Sequence, residues 1–447
     1  MKSLLSVLMF FVFISGAFAN EEEKDKSVDY GKIDGLIRLY HVFAPAYIKS
    51  GRAEDYAVDG SVIGGHLRYT TPTVFDFGAT VAVYYAASTG FNNKDDTNTL
   101  MAAGRFFTSD YDSKAVVGEL NLHFKNDDHY GIIGHFKLDT PITNAIFTYM
   151  PNMYEAVLYK NSQLDSTDIT VAHVEKMAYG SRAPVEFGLI GEATRTAGTT
   201  QNALEKRGTF SDIEKQTLAD DTAQTNGLTV LGVEHKVNEN LNVNVWDFYA
   251  YDIINMFYAD VIYKNKVNDL PYSLSAQYLR VDSVGRNLAS AWLDANTADM
   301  YGLKATLKYG KSFFYAAYNH SGGAKLLNPW SGDPAYTSSF FSKNAYRANV
   351  DAYKLGFNYD ILKNLKLITS HAEYGKSSTL GSFVASKPVE AVRAPENDAF
   401  ESVLLLKYNP IKNLTILTGL IYKESEYFYG GQTVEVLDVD LVVTYKF

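Results

Sequence analysis

The sequence has no cysteine. This excludes a disulfide framework, a thiolate metal centre and a thiol nucleophile. After the first nineteen residues it also lacks any apolar run approaching the ~18 residues that a membrane helix needs. It has no His-x-x-x-His ligand pair, no Gly-x-Ser-x-Gly elbow and no glycine-rich phosphate loop, because Gly64-Gly65 and Gly322-Gly323 stand isolated. No enzyme and no cofactor are expected. Basic charge is also short, with 41 Lys and Arg against 51 Asp and Glu and a net charge of −10. That balance disfavours nucleic acid as a partner and would favour cations in a pore. No proline- or serine-rich linker and no long-period repeat divides the chain, so a single domain is expected.

What is present begins with an export leader. Lys2 supplies the charge, Leu4 to Ile14 the apolar core, and Ala17-Phe18-Ala19 a small-residue cleavage site. Residues 1–19 are read as a signal peptide and 20–447 as the mature domain. Loss of Lys2 with the leader makes the mature chain one charge more negative.

The composition contains 33 Tyr and 26 Phe, yet the mean hydropathy is only −0.15. Short stretches that alternate apolar and polar residues account for both. The last one, Val436 to Phe447, sets Leu437, Val439, Leu441, Val443, Tyr445 and Phe447 on one face, with Asp438, Asp440, Thr444 and Lys446 on the other. Side chains alternate across a strand with period two, so this strand has one apolar and one wet face. Only helices and closed barrels satisfy their backbone in lipid, and apolar-out, polar-in alternation with aromatic edges marks the barrel.

About eighteen such runs are countable, an even number in the barrel range. They include Lys32 to Val42, Ser61 to Thr70, Glu119 to Lys125, Thr167 to Ala178, Val185 to Thr196, Leu241 to Ala250 and Leu414 to Lys423. Short connections such as Asn238-Glu239-Asn240 and Gly310-Lys311 alternate with long ones. Tyr69, Tyr309, Tyr359, Tyr408 and Tyr445 lie on the apolar face just before a short turn or the terminus. The reading is an all-β transmembrane antiparallel barrel with short periplasmic turns and long outer loops, in the outer membrane of a Gram-negative bacterium. Its surroundings would be outer-membrane lipid and lipopolysaccharide.

Two stretches carry a family resemblance. Leu138 to Arg182, with Thr140-Pro141, Pro151-Asn152 and the Asp168 to His173 strand entry, resembles the corresponding stretch of OprD-type outer-membrane porins. Asn328-Pro329-Trp330 through Tyr353 resembles a late outer loop and strand entry of the major porins of epsilonproteobacteria. The resemblance implies an eighteen-stranded barrel, a homotrimer, inward-folded loops that narrow the pore, and passage of small polar solutes. It also implies a basic wall that serves amino acids or carboxylates. Here inward Lys and Arg are interrupted by acids.

The segment from about Thr140 to Ser166 is apolar for a loop. Folding against the inner wall would relieve that exposure, so it is read as a constriction loop. Its charges Asp139, Glu155, Lys160 and Asp165 are candidate pore-lining groups. Strand alternation adds Arg38, Arg68, Glu119 and Lys354, with His66, Lys304, Lys308, Asp34, Asp260, Asp438 and Asp440 also inward. The acid pairs Asp95-Asp96, Asp127-Asp128 and Asp220-Asp221 match no calcium-loop spacing and read as solvated charge. No metal site is assigned. Tyr445 and Phe447 resemble the terminal signal that outer-membrane insertion machinery reads. The function that fits is a passive channel for small hydrophilic solutes and ions with a weak cation preference. The alternatives are a channel selective for amino acids or carboxylates, and a non-conducting surface barrel.

Overall fold

The computed structural model describes residues 29–48, 56–89, 113–144, 149–180, 207–218, 220–290, 293, 295–326, 328–330, 332–340, 347–377, 399–427 and 432–447. The leader, the run at 185–196 and the pair Asp95-Asp96 lie outside the described residues. The first strands in chain order are β1 (Lys32–Ile48), β2 (Tyr56–Thr70), β3 (Phe77–Ser88), β4 (Lys114–Lys125), β5 (His129–Phe136), β6 (Met153–Asn161) and β7 (Thr167–Ala178). The two-residue β8 (Ser211–Asp212) and the helix α1 (Ile213–Leu218) come next. Then follow β9 (Leu228–Lys236), β10 (Leu241–Ala250), β11 (Ile254–Val267), β12 (Leu270–Ser283), β13 (Thr297–Tyr309) and β14 (Ser312–Ser321). The last are β15 (Val350–Leu362), β16 (Leu365–Tyr374), β17 (Ala399–Ile411), β18 (Leu414–Tyr427) and β19 (Gln432–Lys446).

Every pairing is antiparallel, and β1 pairs with both β2 and β19, so the sheet closes on itself. β8 only extends the edge at the end of β7, which otherwise pairs directly with β9. Eighteen strands therefore form the wall. Closure leaves no row of unpaired backbone groups, the condition a sheet must meet in lipid. The seam is finished by the last residue. The Phe447 N–H donates to Gly35 O and the Gly35 N–H to Phe447 O, both at 3.1 Å. The ring of Phe447 lies over Gly35, where an added Cβ would meet its Cζ at 2.5 Å.

The outer face is apolar. Leu120, Leu122, Ile133, Val157, Leu303 and Leu355 are each more than half exposed. Apolar area costs about 25 cal/mol per Å² in water, and a continuous belt of it marks a membrane surface. At the short-turn end the belt is bordered by Tyr69, Tyr309, Tyr359, Tyr408 and Tyr445, all of them exposed. This is the aromatic edge that the alternation predicts. The turns there are tight. The β11–β12 turn is Asn268-Asp269, both with positive φ (47° and 63°), as a two-residue hairpin turn requires. At the other end most connections are longer, the exceptions being the three residues 251–253 between β10 and β11 and the four residues 428–431 between β18 and β19.

The long connections supply the core. Leu138 and Ile142 of the β5–β6 connection, Ile213 and Leu218 of α1, and Trp330 of the β14–β15 connection are buried in one cluster with inner-face residues such as Val174 and Phe248. They turn inward because the inner faces of these strands are apolar at the long-loop end and would otherwise line water.

Candidate functional site

The inner wall across β19, β1, β2, β3 and β4 is polar. Alternation turns Asp34, Arg38 and Tyr40 of β1, His66 and Arg68 of β2, Tyr84 of β3 and Glu119 of β4 toward the interior. The opposite parity carries the exposed Ile33, Tyr69, Val81 and Leu120 outside. Arg68 is the hub. Its Nη1 donates to Asp34 Oδ1 at 3.2 Å and its Nη2 to Glu119 Oε1 at 2.5 Å. The Tyr84 hydroxyl donates to the same Glu119 oxygen at 2.5 Å. The planar guanidinium fork presents a separate terminal nitrogen to each carboxylate. Glu119 is only 7% exposed, so it is tolerable as a carboxylate because a cation and a hydroxyl hold it. On the seam side, Arg38 Nε donates to Thr444 Oγ1 at 3.0 Å and the Tyr40 hydroxyl to Asp440 Oδ1 at 3.0 Å.

A second polar stretch lies nearer the short-turn end. Lys160 Nζ of β6 sits 2.7 Å from Asp168 of β7 and 3.8 Å from Glu234 of β9. Asn244 of β10 donates to Asp260 of β11 at 3.1 Å.

Two connections cross the interior and bind each other. The Gly332 N–H donates to Ile142 O at 2.8 Å, and Asn328 Nδ2 to the same oxygen at 3.0 Å. Asn152 Nδ2 donates to Trp330 O at 3.1 Å, and the Tyr179 hydroxyl to Pro329 O at 3.2 Å. The β5–β6 connection also docks on the polar wall. The Tyr149 hydroxyl donates to Val62 O at 3.1 Å, and its ring fills the space over Gly64, where a Cβ would lie 2.6 Å from Tyr149 Cδ1. The β14–β15 connection is held from the other side. Lys354 Nζ donates to Ser338 O at 2.6 Å and the Phe340 N–H to Glu401 Oε1 at 2.7 Å.

This arrangement corrects the sequence-based segment 140–166. Its described residues 140–144 and 149–152 belong to an inward connection, but Met153–Asn161 is the wall strand β6. The charges assigned to it therefore separate. Glu155 shares the outer face with Val157 and Tyr159, at the long-loop end of β6. There it accepts from Lys176 Nζ at 2.8 Å and pairs with His135 Nε2 at 2.9 Å. It does not line the interior. Asp165 lies in the short β6–β7 turn, exposed. Asp139 is exposed just beyond β5, 3.7 Å from Lys137 Nζ. Of the four, only Lys160 faces inward. Arg38, Arg68, Glu119 and Lys354 are on the inner face.

The strand was hidden by its own packing. Tyr154, Ala156 and Leu158 face inward but meet the buried connections rather than water, so the stretch is apolar on both faces and shows no period-two pattern. Its signal was the run of strand-favouring residues between Pro151-Asn152 and the polar stretch at 162–166. Asp168, Glu234 and Gln277 were not singled out from the sequence, although the same alternation turns them inward.

No protein-family model matches the sequence, and no curated protein matches it. Solved structures do. Pseudomonas aeruginosa OccK1 (OpdK) matches with a TM-score of 0.68 at 12% identity, covering 93% of this chain and 98% of that one. Pseudomonas aeruginosa OccK9 (OpdG) gives 0.69 at 13% identity, over 93% and 98%. Acinetobacter baumannii OccAB4 gives 0.65 at 14%, over 94% and 99%. The fold is that of the OprD-type outer-membrane barrel. At these identities the likeness is one of fold. On the inner wall of this chain, three basic residues are held by neighbours: Arg68 by Asp34 and Glu119, Lys160 by Asp168 and Glu234, Lys354 by a loop carbonyl.

Proposed function

We propose that the chain is a passive diffusion channel of a Gram-negative outer membrane for small hydrophilic solutes and ions, with a weak preference for cations. In this reading the short-turn end faces the periplasm and the long-loop end the exterior. The observation that carries the channel reading is the contrast between the two faces of one closed wall. Outside it is apolar, while inside it carries charged side chains, with Arg68, Glu119, Lys160 and Asp168 in hydrogen-bonded chains. A barrel that served only as an anchor would have no need to keep such charge along its interior, where each desolvated ion is costly. The cation preference is supported by the acid excess of the chain and by the way the inward basic groups Arg68 and Lys160 are already engaged.

The rival substrate class is carboxylates. OpdK has been solved with vanillate, an aromatic carboxylate. In this chain Arg68 and Lys160 are each matched by two acids, which speaks for cations instead.

Planar-bilayer recording tests the reading. Purified protein is expected to insert and give discrete ion steps in KCl, with a reversal potential in a salt gradient on the cation side. A folded, inserted barrel without steps at any voltage would establish a non-conducting surface barrel. An anion-side potential would move the reading to acidic solutes. Assembly as a homotrimer belongs to the same reading, and cross-linking of the detergent-extracted protein tests it.

A further inference from the structure

The tight turns at one end of the barrel divide by charge. The β13–β14, β15–β16 and β17–β18 turns carry Lys311, Lys363 and Lys412 and no acid. On the opposite arc the β4–β5, β6–β7 and β9–β10 turns carry Asp127, Asp128, Asp165 and Glu239 and no base. Lys311 and Lys363 are exposed and make no ion pair among the described residues. The neighbouring acid Asp360 is taken by Lys366, at 3.2 Å. The Asp360 N–H donates to Lys311 O at 2.9 Å, which holds the Lys311 turn against the end of β15.

Above the Lys311 and Lys363 turns the outer face of the wall is hollowed. A groove of about 660 Å³ runs over β13 to β16, within the size range of natural ligand clefts. Ala305 of β13 stands directly opposite Ala316 of β14, and these small side chains form its floor. Leu307, Phe314, Leu355 and Phe357 form its sides, with the rings of Phe314 and Phe357 centred 5.1 Å apart. All six share the outward face with the exposed Leu303. Ala316 lies five residues from Lys311, about 17 Å along the strand. That is comparable to half of the ~30 Å hydrocarbon core. The groove thus has the reach of one leaflet, and the exposed Tyr309 and Tyr359 lie between it and the two lysines.

We propose that this groove seats an acyl chain of one anionic phospholipid from the leaflet at the short-turn end, with its phosphate held by Lys311 and Lys363. The hollow supplies the fit to the chain, and the lysines supply the choice of headgroup. A lysine lays its methylenes along apolar surface and keeps its ammonium at the interface, and basic residues beside a membrane draw anionic lipid. The acidic turns repel the same headgroup, so the site is confined to one arc of the barrel. A second copy of the chain is a poorer occupant, because a two-fold contact through this face would set its lysines against their own kind. The proposal rests on the outward apolar belt and not on conduction.

Native mass spectrometry of the intact protein in detergent tests it, with phosphatidylglycerol or phosphatidylcholine of the same acyl chains added. The expected result is one tightly retained phosphatidylglycerol per barrel. Phosphatidylcholine, whose choline offsets the phosphate, should bind about tenfold more weakly, as loss of a charge-assisted contact does. The double variant Lys311→Gln with Lys363→Gln should lose the same preference. Ala316→Phe fills the groove from the lipid side and should abolish retention. Glu239→Gln, on the acidic arc, should leave it unchanged. Heat-modifiable mobility on gels identifies the folded variants, and only these are compared. Equal retention of the two lipids by the wild type would overturn the proposal, as would wild-type retention in either the double lysine variant or Ala316→Phe. Displacement of the lipid by glycerol phosphate, which has the charge without the chain, would reduce the site to a bare anion site and overturn it. A lipid-free dimer that Ala316→Phe dissociates would give the groove to a second copy instead.

Discussion

Arg68 of β2 reaches past β3 to Glu119 of β4, at 2.5 Å, while its other terminal nitrogen holds Asp34 of β1. One side chain thus ties four neighbouring strands from within. Arg68→Met removes the cation from a carboxylate that is almost wholly buried. The folded barrel should lose about 3 kcal/mol, read as a lower midpoint for loss of the heat-modifiable form. The double variant Arg68→Met with Glu119→Met should recover most of the loss. If the single and double variants unfold together, the two residues are not coupled.

Asn152 is one of the ties between the two inward connections: it donates to Trp330 O at 3.1 Å and also accepts from the Gly180 N–H beyond β7 at 3.0 Å. Asn152→Ala removes both bonds, about 2 kcal/mol, and should raise the displaced-loop population about thirtyfold. The strand ladder is untouched, so the barrel midpoint should move little. Single-channel current should become larger and noisier. An unchanged trace would show that these connections do not limit the flow.

Charge on opposite faces of the same strand should behave differently. Glu155 faces outward, so Glu155→Gln should leave the KCl reversal potential where it is. Glu234→Gln and Asp168→Asn each release Lys160 on the inner face and should shift it toward anions. A shift for Glu155→Gln equal to that for Glu234→Gln would contradict the assignment of faces.

Phe447 closes the seam against Gly35 and stacks on Tyr445 with ring centres 6.3 Å apart. Phe447→Ser should lower the yield of heat-modifiable barrel in cells and raise periplasmic degradation. Gly35→Ala should weaken closure as well, because its Cβ displaces the ring. Wild-type yields for both would remove the terminal residue from assembly.

The turn at 251–253 offers a pH dependence. Asp252 accepts from the Arg286 backbone N–H and from its guanidinium, each at 3.0 Å. These bonds, the backbone one foremost, hold its carboxyl below the usual range of 3.8. A lowered folded-state value means the contribution is fully present above the usual carboxylate range and is lost as pH falls through the lowered value. Protease cleavage within 284–296 should therefore be flat from neutrality down to the usual carboxylate range and rise only in stronger acid. Asp252→Ala should show the raised cleavage at neutral pH.

Most of the wall was legible because most strands separate lipid from polar contents, and that separation is written as period two. Arg38, Arg68, Glu119 and Lys354 could be turned inward from the alternation alone. Met153–Asn161 was not legible, because its inner face meets protein and both faces are apolar. Misreading it moved Glu155 from the outer face to a supposed loop inside. Pairing was beyond reach as well. Nothing in the sequence near Lys160 announces that Asp168 and Glu234 will flank it, since strand register and not chain proximity brings them together.

The closed ladder also bears on how little of the sequence the shape needs to keep. Backbone groups carry the strand ladder itself, and most wall residues are asked mainly for a polarity class, roughly a single binary choice. That demand is met by very many sequences. A barrel of this kind can therefore share only 12% of its letters with another while the structural match still covers 93% of its length. The letters under tighter constraint are those where side chains choose particular partners: Arg68 among its acids, Asn152 between two connections, and glycine beneath the ring of Phe447.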